Sequence, residues 1–200
     1  MPKYKKIKVF SCDPGTKNFA MSVIEGTVTE SGLKIKIIGT CMLNETLQDL
    51  TKNVAPVLRD FNKRMRFIKK EHKPKLACFE RFQSRGLKGK TIEAIGYMLG
   101  VIGITFRRAN PRFILASTWK NRINKIDGVV LNDIYKGWGL TSKAKSYTGK
   151  RDHELDAVLI GIYHLHQHLG MEDFEIFKNI PLENFKEHFL NAPTLELPKL

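Results

Sequence analysis

Apolar and β-branched residues dominate Lys6 to Asp13 (KIKVFSCD) and Asn18 to Glu25 (NFAMSVIE), and the intervening Pro14-Gly15-Thr16-Lys17 contains strong turn formers. The pattern predicts a hairpin. From Gly32 to Leu43, Leu33, Ile35 and Ile37 alternate with lysines, which predicts a third strand and an antiparallel opening to the fold. Asn44 is a good cap for a long charged helix to about Lys70, which Pro56 is expected to kink or divide. Its final turns hold Arg59, Lys63, Arg64, Arg66, Lys69 and Lys70.

A fourth strand follows at Lys75 to Glu80, then a polar basic loop from Arg81 to Lys90 and a helix of about Thr91 to Phe106. Arg112 to Ala116 predicts a fifth strand, with Ser117-Thr118 capping a short helix through Asn124. Gly128 to Gly137 reads as helical, Trp138 to Lys150 as a loop, and Asp152 to about Leu169 as the last long helix. The order implies an α/β fold in which three antiparallel strands, then two parallel ones, form a mixed sheet flanked by helices. Residues 1–170 are expected to form one domain and 171–200 a C-terminal extension.

Charge changes the picture. The chain carries 34 Lys and Arg against 20 acids, a net charge of +14, and the last 30 residues alone are acidic by 3, so residues 1–170 carry +17. A surplus of that size suits a polyanion, because each neutralised phosphate releases condensed counterions. No apolar run approaches the roughly 18 to 20 residues of a membrane span, and the basic N-terminus lacks the apolar core of a signal peptide. Three cysteines, Cys12, Cys41 and Cys78, form no CxxC pair and suit a reducing, intracellular compartment.

Against that basic background, three acids stand where apolar segments end. Asp13 closes the first strand, Glu80 the fourth, and Asp156 lies one turn into the last helix. Open α/β sheets place their ligands at such an edge. Singly, Asp13 could serve the turn, Glu80 could pair with Arg81 or Arg85, and Asp156 could be a satisfied helix acid. Together they would repel, and a hard divalent ion such as Mg²⁺ would relieve that repulsion. Two ions roughly 3.5 to 4 Å apart can activate water and stabilise a leaving oxygen. His153 shares a helical face with Asp156 at i and i+3, as does Asp152 at i and i+4. His153 is the expected fourth member, with Asp152 its substitute or the helix N-cap.

Ser11-Cys12-Asp13-Pro14-Gly15-Thr16-Lys17-Asn18-Phe19-Ala20, Phe79-Glu80-Arg81-Phe82 and His153-Glu154-Leu155-Asp156-Ala157 resemble, in order and spacing, the active-site motifs of RuvC-like Holliday junction resolvases. Asn18 and Ala20 look more like the viral and mitochondrial branches, and a viral protein acting inside a host cell fits that likeness. The resemblance implies an RNase H-like fold and two Mg²⁺ or Mn²⁺ ions held by Asp13, Glu80, His153 and Asp156. Some members carry aspartate where His153 stands and others histidine, which leaves open whether His153 ligates metal or assists the attacking water. It also implies a homodimer that nicks opposed strands of a four-way DNA junction, leaving 5′-phosphate and 3′-hydroxyl ends.

Arg81, Arg85, Lys88 and Lys90 would hold phosphates, with Phe82 either stacking on an exposed base or tucked into the core. Lys120, Arg122 and Lys125 resemble the family's junction-contacting basic segment, and Lys120 could steady the scissile phosphate. Trp119 reads as core, Gly96, Gly100 and Gly103 as helix-packing residues, and His164, His166 and His168 as a polar helix end. Within the same chemistry, a broader branched-DNA nuclease or an RNase H remains open. Outside it stand a non-catalytic nucleic-acid-binding protein and an actin-like ATP-binding protein. The latter needs a second domain and phosphate loop for which 200 residues leave no room.

Overall fold

The computed structural model describes residues 5–15, 18–30, 32–43, 54–81, 89–124, 128–141, 148–171 and 181–198. Three antiparallel strands open it, β1 (Lys6–Asp13), β2 (Phe19–Thr29) and β3 (Gly32–Leu43). The helix α1 (Val54–His72) then carries the chain back, and Lys75 N bonds Lys8 O at 2.9 Å to start β4 (Leu76–Arg81) parallel to β1. A second crossover through α2 (Gly89–Thr105) and a 3-10 turn (Arg107–Ala109) adds β5 (Arg112–Leu115), parallel to β4. The sheet order is β3-β2-β1-β4-β5, the mixed arrangement expected from sequence. The remaining helices are α3 (Ala116–Arg122), α4 (Leu131–Gly137), α5 (Asp152–His168) and α6 (Leu182–Leu190).

The period-2 alternation of β1 sends its side chains into two cores. Val9 joins Leu155, Val158, Leu159 and Ile162 of α5 on one face. Phe10 joins Phe61 and Met65 of α1 and Met98 and Ile102 of α2 on the other, where it stacks on Phe106 with centroids 4.3 Å apart. The α5 helix crosses β1, β2 and β4. Gly161 permits its close approach, because a Cβ there would stand 2.6 Å from Ser11 Oγ.

Several local expectations are corrected. Pro56 lies in the first turn of α1, where its missing N–H costs no helical bond, so it neither kinks nor divides the described helix. Asn44 lies outside the described residues. The strand β5 passes directly into α3 at Ala116 with no side-chain cap from Ser117 or Thr118. The next helix starts at Leu131 rather than Gly128, whose φ of 64° is left-handed.

His164 and His166 are 2% and 4% exposed and do not form a polar helix end. A Cβ on Gly96, Gly100 or Gly103 would meet nothing within 4 Å, so these glycines lie on an open face of α2 and pack no neighbouring element. Residues 181–198, expected within an extension, pack on the body of the fold. Phe185 and Phe189 lie 6.2 and 6.4 Å from the Trp138 ring, and Thr194 bridges Thr40 in parallel beside β3. No described helix is long and apolar enough to cross a membrane.

Candidate active site

Cys12 on β1 pairs with Phe79 on β4, so the next residues, Asp13 and Glu80, leave the two strands side by side. Both continue the alternation that turns Ser11 and Cys78 toward α5, as the Gly161 contact with Ser11 and the Cys78 Sγ bond to Ile160 O at 3.6 Å attest. The first turns of α5 stand over the same edge. His153 Nδ1 meets Asp13 Oδ2 at 2.6 Å. Asp156 is held from both sides: Lys120 Nζ of α3 donates to Oδ2 at 2.7 Å, and Tyr135 Oη of α4 to Oδ1 at 2.5 Å. Trp119 Nε1 donates to Glu80 Oε2 at 3.0 Å, and its ring lies 4.9 Å from Lys120 Nζ. Asp13, Glu80, His153 and Asp156 thus face one edge, drawn from three elements.

The electrostatics follow from that company. Burial, and then the charge of Asp13, push the Glu80 carboxyl up to about 7; Lys120 and the Trp119 bond pull the other way. Burial also raises Asp156, with Asp13 adding to it, although Lys120 opposes the shift. The hydrogen bond to Asp13 lifts His153 above its usual range despite its burial. Burial disfavours the Lys120 charge, but Asp156, Glu80 and Asp13 together raise its pKa. Tyr135 is raised by burial and by Asp156. Three carboxylates that disfavour one another's charge, with oxygen donors aimed at one edge, are a donor set that fits a hard divalent cation. Among the described residues, no three His, Cys, Asp or Glu side chains are already drawn together at metal-ligating distance. Lys120, Tyr135 and Trp119 hold carboxylate oxygens that such an ion would share.

Asp152 does not cap α5. It is the first helical residue, its Oδ1 accepts from His153 N at 3.1 Å, and extended Arg151 takes the cap position. Glu154, which points away from the site as its helical position implies, anchors a second polar cluster. Its Oε2 accepts from Arg151 N at 3.1 Å and its Oε1 from Thr40 Oγ1 at 2.8 Å, while Lys150 Nζ lies 3.7 Å away. Lys150 also donates to Thr40 Oγ1 at 2.7 Å and Ala192 O at 3.2 Å.

The basic candidates separate. Lys120 lies inside the site, paired with Asp156. Arg81 and Lys90 are exposed, and Arg81 borders a recess of about 300 Å³ with Arg112, Phe113 and Thr118. Arg122 is half-buried, with Nη2 shielded from solvent, so it turns inward. Phe82, Arg85, Lys88 and Lys125 lie outside the described residues. Sequence reasoning missed Tyr135 and the Glu154 cluster. It placed Trp119 correctly in the core, where the ring is fully buried, but not its bond to Glu80. No motif marks Tyr135; the signal available was one polar tip in an otherwise apolar helix face.

No family model and no curated protein matches the chain. Solved structures do. A Thermus thermophilus RuvC structure aligns at a TM-score of 0.59 and 17% identity, covering 82% of this chain and 97% of that one. T. thermophilus RuvC in complex with a Holliday junction substrate aligns at 0.58 and 15%, covering 82% and 96%. The yeast mitochondrial Holliday junction resolvase Ydc2 aligns at 0.45 and 18%, covering 94% and 86%. The five-stranded sheet, its flanking helices and the two RuvC alignments show that the chain has the fold of RuvC.

Proposed function

We propose that the chain is a metal-dependent endonuclease that resolves four-way DNA junctions. The carrying observation is the convergence of Asp13, Glu80, His153 and Asp156 on one sheet edge of a protein with net charge +14. The RuvC neighbour bound to a Holliday junction substrate supports the choice of branched DNA. Asp13, Glu80 and Asp156, with His153 beside them, would hold Mg²⁺ or Mn²⁺, two ions per site. Bound there, the ions supply Lewis acidity and lower the pKa of water.

The chain's own residues do the rest. His153, oriented by its contact with Asp13 Oδ2 at 2.6 Å, would take the proton of the attacking water in its neutral form. Water adds to phosphorus as its proton passes to His153, the bond to the 3′-oxygen breaks, and that oxygen takes a proton from solvent, giving 5′-phosphate and 3′-hydroxyl ends. Lys120, about a third exposed, reaches from Asp156 to a non-bridging phosphate oxygen. Tyr135 and Trp119 fix Asp156 and Glu80 while that happens.

Symmetric cutting needs a two-fold dimer. The outer face of α2 suits it: Gly96, Gly100 and Gly103 let backbones approach, and Tyr97 is 48% exposed. Incubation with a synthetic four-way junction, a linear duplex and an RNA/DNA hybrid, in Mg²⁺ or EDTA, tests the reading. Paired Mg²⁺-dependent nicks in the junction are expected. Preferred cutting of the hybrid would move the chain to an RNase H activity, and cutting in EDTA would remove the metal.

A further inference from the structure

The α1 helix carries six Lys and Arg against two acids. Phe61, Met65 and Ile68 face the core, and from Arg59 onward the exposed positions are Arg59, Lys63, Arg66, Lys70 and Glu71. The four basic residues fall at i, i+4, i+7 and i+11, a single line about 16 Å long at 1.5 Å per residue. Among the described residues only Lys63 of the four makes an ion pair, an exposed one with Asp60 at 3.7 Å. Exposed Arg107 and Arg108 extend the positive surface across the turn after α2.

Between α1 and α2 lies a recess of about 240 Å³ lined by Asn62, Arg66, Lys69, Ile104, Thr105 and Arg107. Its polar groups are held in place: Lys69 Nζ donates to Thr105 O at 2.6 Å, and Thr105 Oγ1 to Asn62 Oδ1 at 3.3 Å. Three cations and an amide around a space of that size fit a phosphate group.

We propose that α1 and the turn after α2 form a second DNA-backbone surface that holds a duplex arm of the substrate away from the acidic site. This rests on the reading of the chain as a DNA nuclease. A linear track of like charge, with no apolar residue among its exposed positions after Arg59, matches a phosphate backbone and not a lipid surface, which needs an apolar face to insert. The track starts at the Asp13 end of the sheet, on the face opposite α5, so an arm reaches it by rounding that end. Phe61 of α1 packs on Phe19 with ring centroids 5.2 Å apart, and Phe19 opens β2 beside Ala20, the partner of Asp13. An arm leaving the cleavage edge can therefore continue along α1.

Binding of a fluorescent four-way junction in EDTA, across a salt series, tests this with Arg66→Glu/Lys70→Glu and, as a matched control, exposed Lys34→Glu/Lys36→Glu on the sheet edge. Losing two phosphate contacts should reduce the slope of log affinity against log salt by about 2 and weaken binding about tenfold near 0.1 M salt. The control should lose far less, and the α1 variant should cut at the wild-type rate in single turnover at saturating protein. Shortening the junction arms should erase the difference between the variants. If wild type binds and cuts the junction while the α1 variant matches the control, this surface is refuted and the nuclease reading stands. If wild type binds no branched DNA, both fall.

Discussion

Glu154 and Asp156 stand two residues apart on α5 and are each 6% exposed. Their surroundings differ. Glu154 is closed in by partners that bond its oxygens: the Arg151 amide and the Thr40 hydroxyl, with the Lys150 ammonium 3.7 Å away. Asp156 has Lys120 and Tyr135, but it also shares its edge with Asp13 and Glu80, and its carboxyl is raised. Burial alone does not separate a structural acid from a functional one. The company of other acids does, because only such a set leaves unfavourable charge for a cation or a phosphoryl group to relieve. Glu154 also ties α5 to β3, and Lys150 beside it bonds Ala192 O, so the structural cluster holds the helix turn on which the reactive one is mounted.

The comparison can be broken most decisively at the reactive acids. Asp13→Asn or Asp156→Asn should slow single-turnover junction cutting on the order of a thousandfold, the scale of losing one member of a set that acts as a unit. DNA binding in EDTA should persist. Glu154→Gln should change the same rate by less than about tenfold; a larger fall, with binding and stability intact, would move Glu154 into the reactive set.

Stability should respond the other way round. Glu154→Ala removes the carboxylate beside Lys150, whose side chain is 13% exposed, and the acceptor of Thr40 Oγ1, and should cost about 3 kcal/mol in urea denaturation. Asp156→Asn removes a charge that burial disfavours and should cost little. A smaller effect is expected at Trp119→Phe, which keeps the ring in the core and deletes the donor to Glu80. The Mg²⁺ needed for half-maximal cutting should rise about tenfold.

Far from the edge, the buried histidines set a pH limit. Burial lowers His164 and His166 from 6.5 to about 4, helped by the charges of Arg112 and His168 on the first and of Arg122 on the second. Their depressed folded values mean the contribution is fully present above pH 6.5 and is lost as pH falls through about 4. The denaturation free energy should decline over that window, and less steeply in His164→Gln/His166→Gln. An unchanged slope would remove these two residues from the acid response.

What sequence made legible was local. Alternation in β1 to β3 and the turn chemistry at Pro14-Gly15 define the antiparallel half, and acids ending apolar strands are conspicuous in a basic chain. The parallel order of β4 and β5 also followed, because crossover helices leave few topologies. Helix ends were read less well: Ser117 and Thr118 do not cap α3, the helix expected from Gly128 starts at Leu131, and α5 starts at Asp152 as expected but with Arg151 in the cap position. The partners of the acids were hidden because Tyr135, Trp119 and Lys120 reach them only once α3 and α4 pack beside α5. Thr40 and Lys150, over a hundred positions apart, could not be paired from spacing at all. Likewise, the α2 glycines read as packing residues because one chain does not show which helix face stays open.

The central claim is that the edge formed by Asp13, Glu80, His153 and Asp156 is where a divalent ion binds, and calorimetric titration of Mn²⁺ tests it most directly. Wild type and Glu154→Gln should bind with similar affinity, and Asp156→Asn should lose most of the binding heat while remaining folded. Equal binding by wild type and Asp156→Asn, or loss in Glu154→Gln alone, would contradict the assignment.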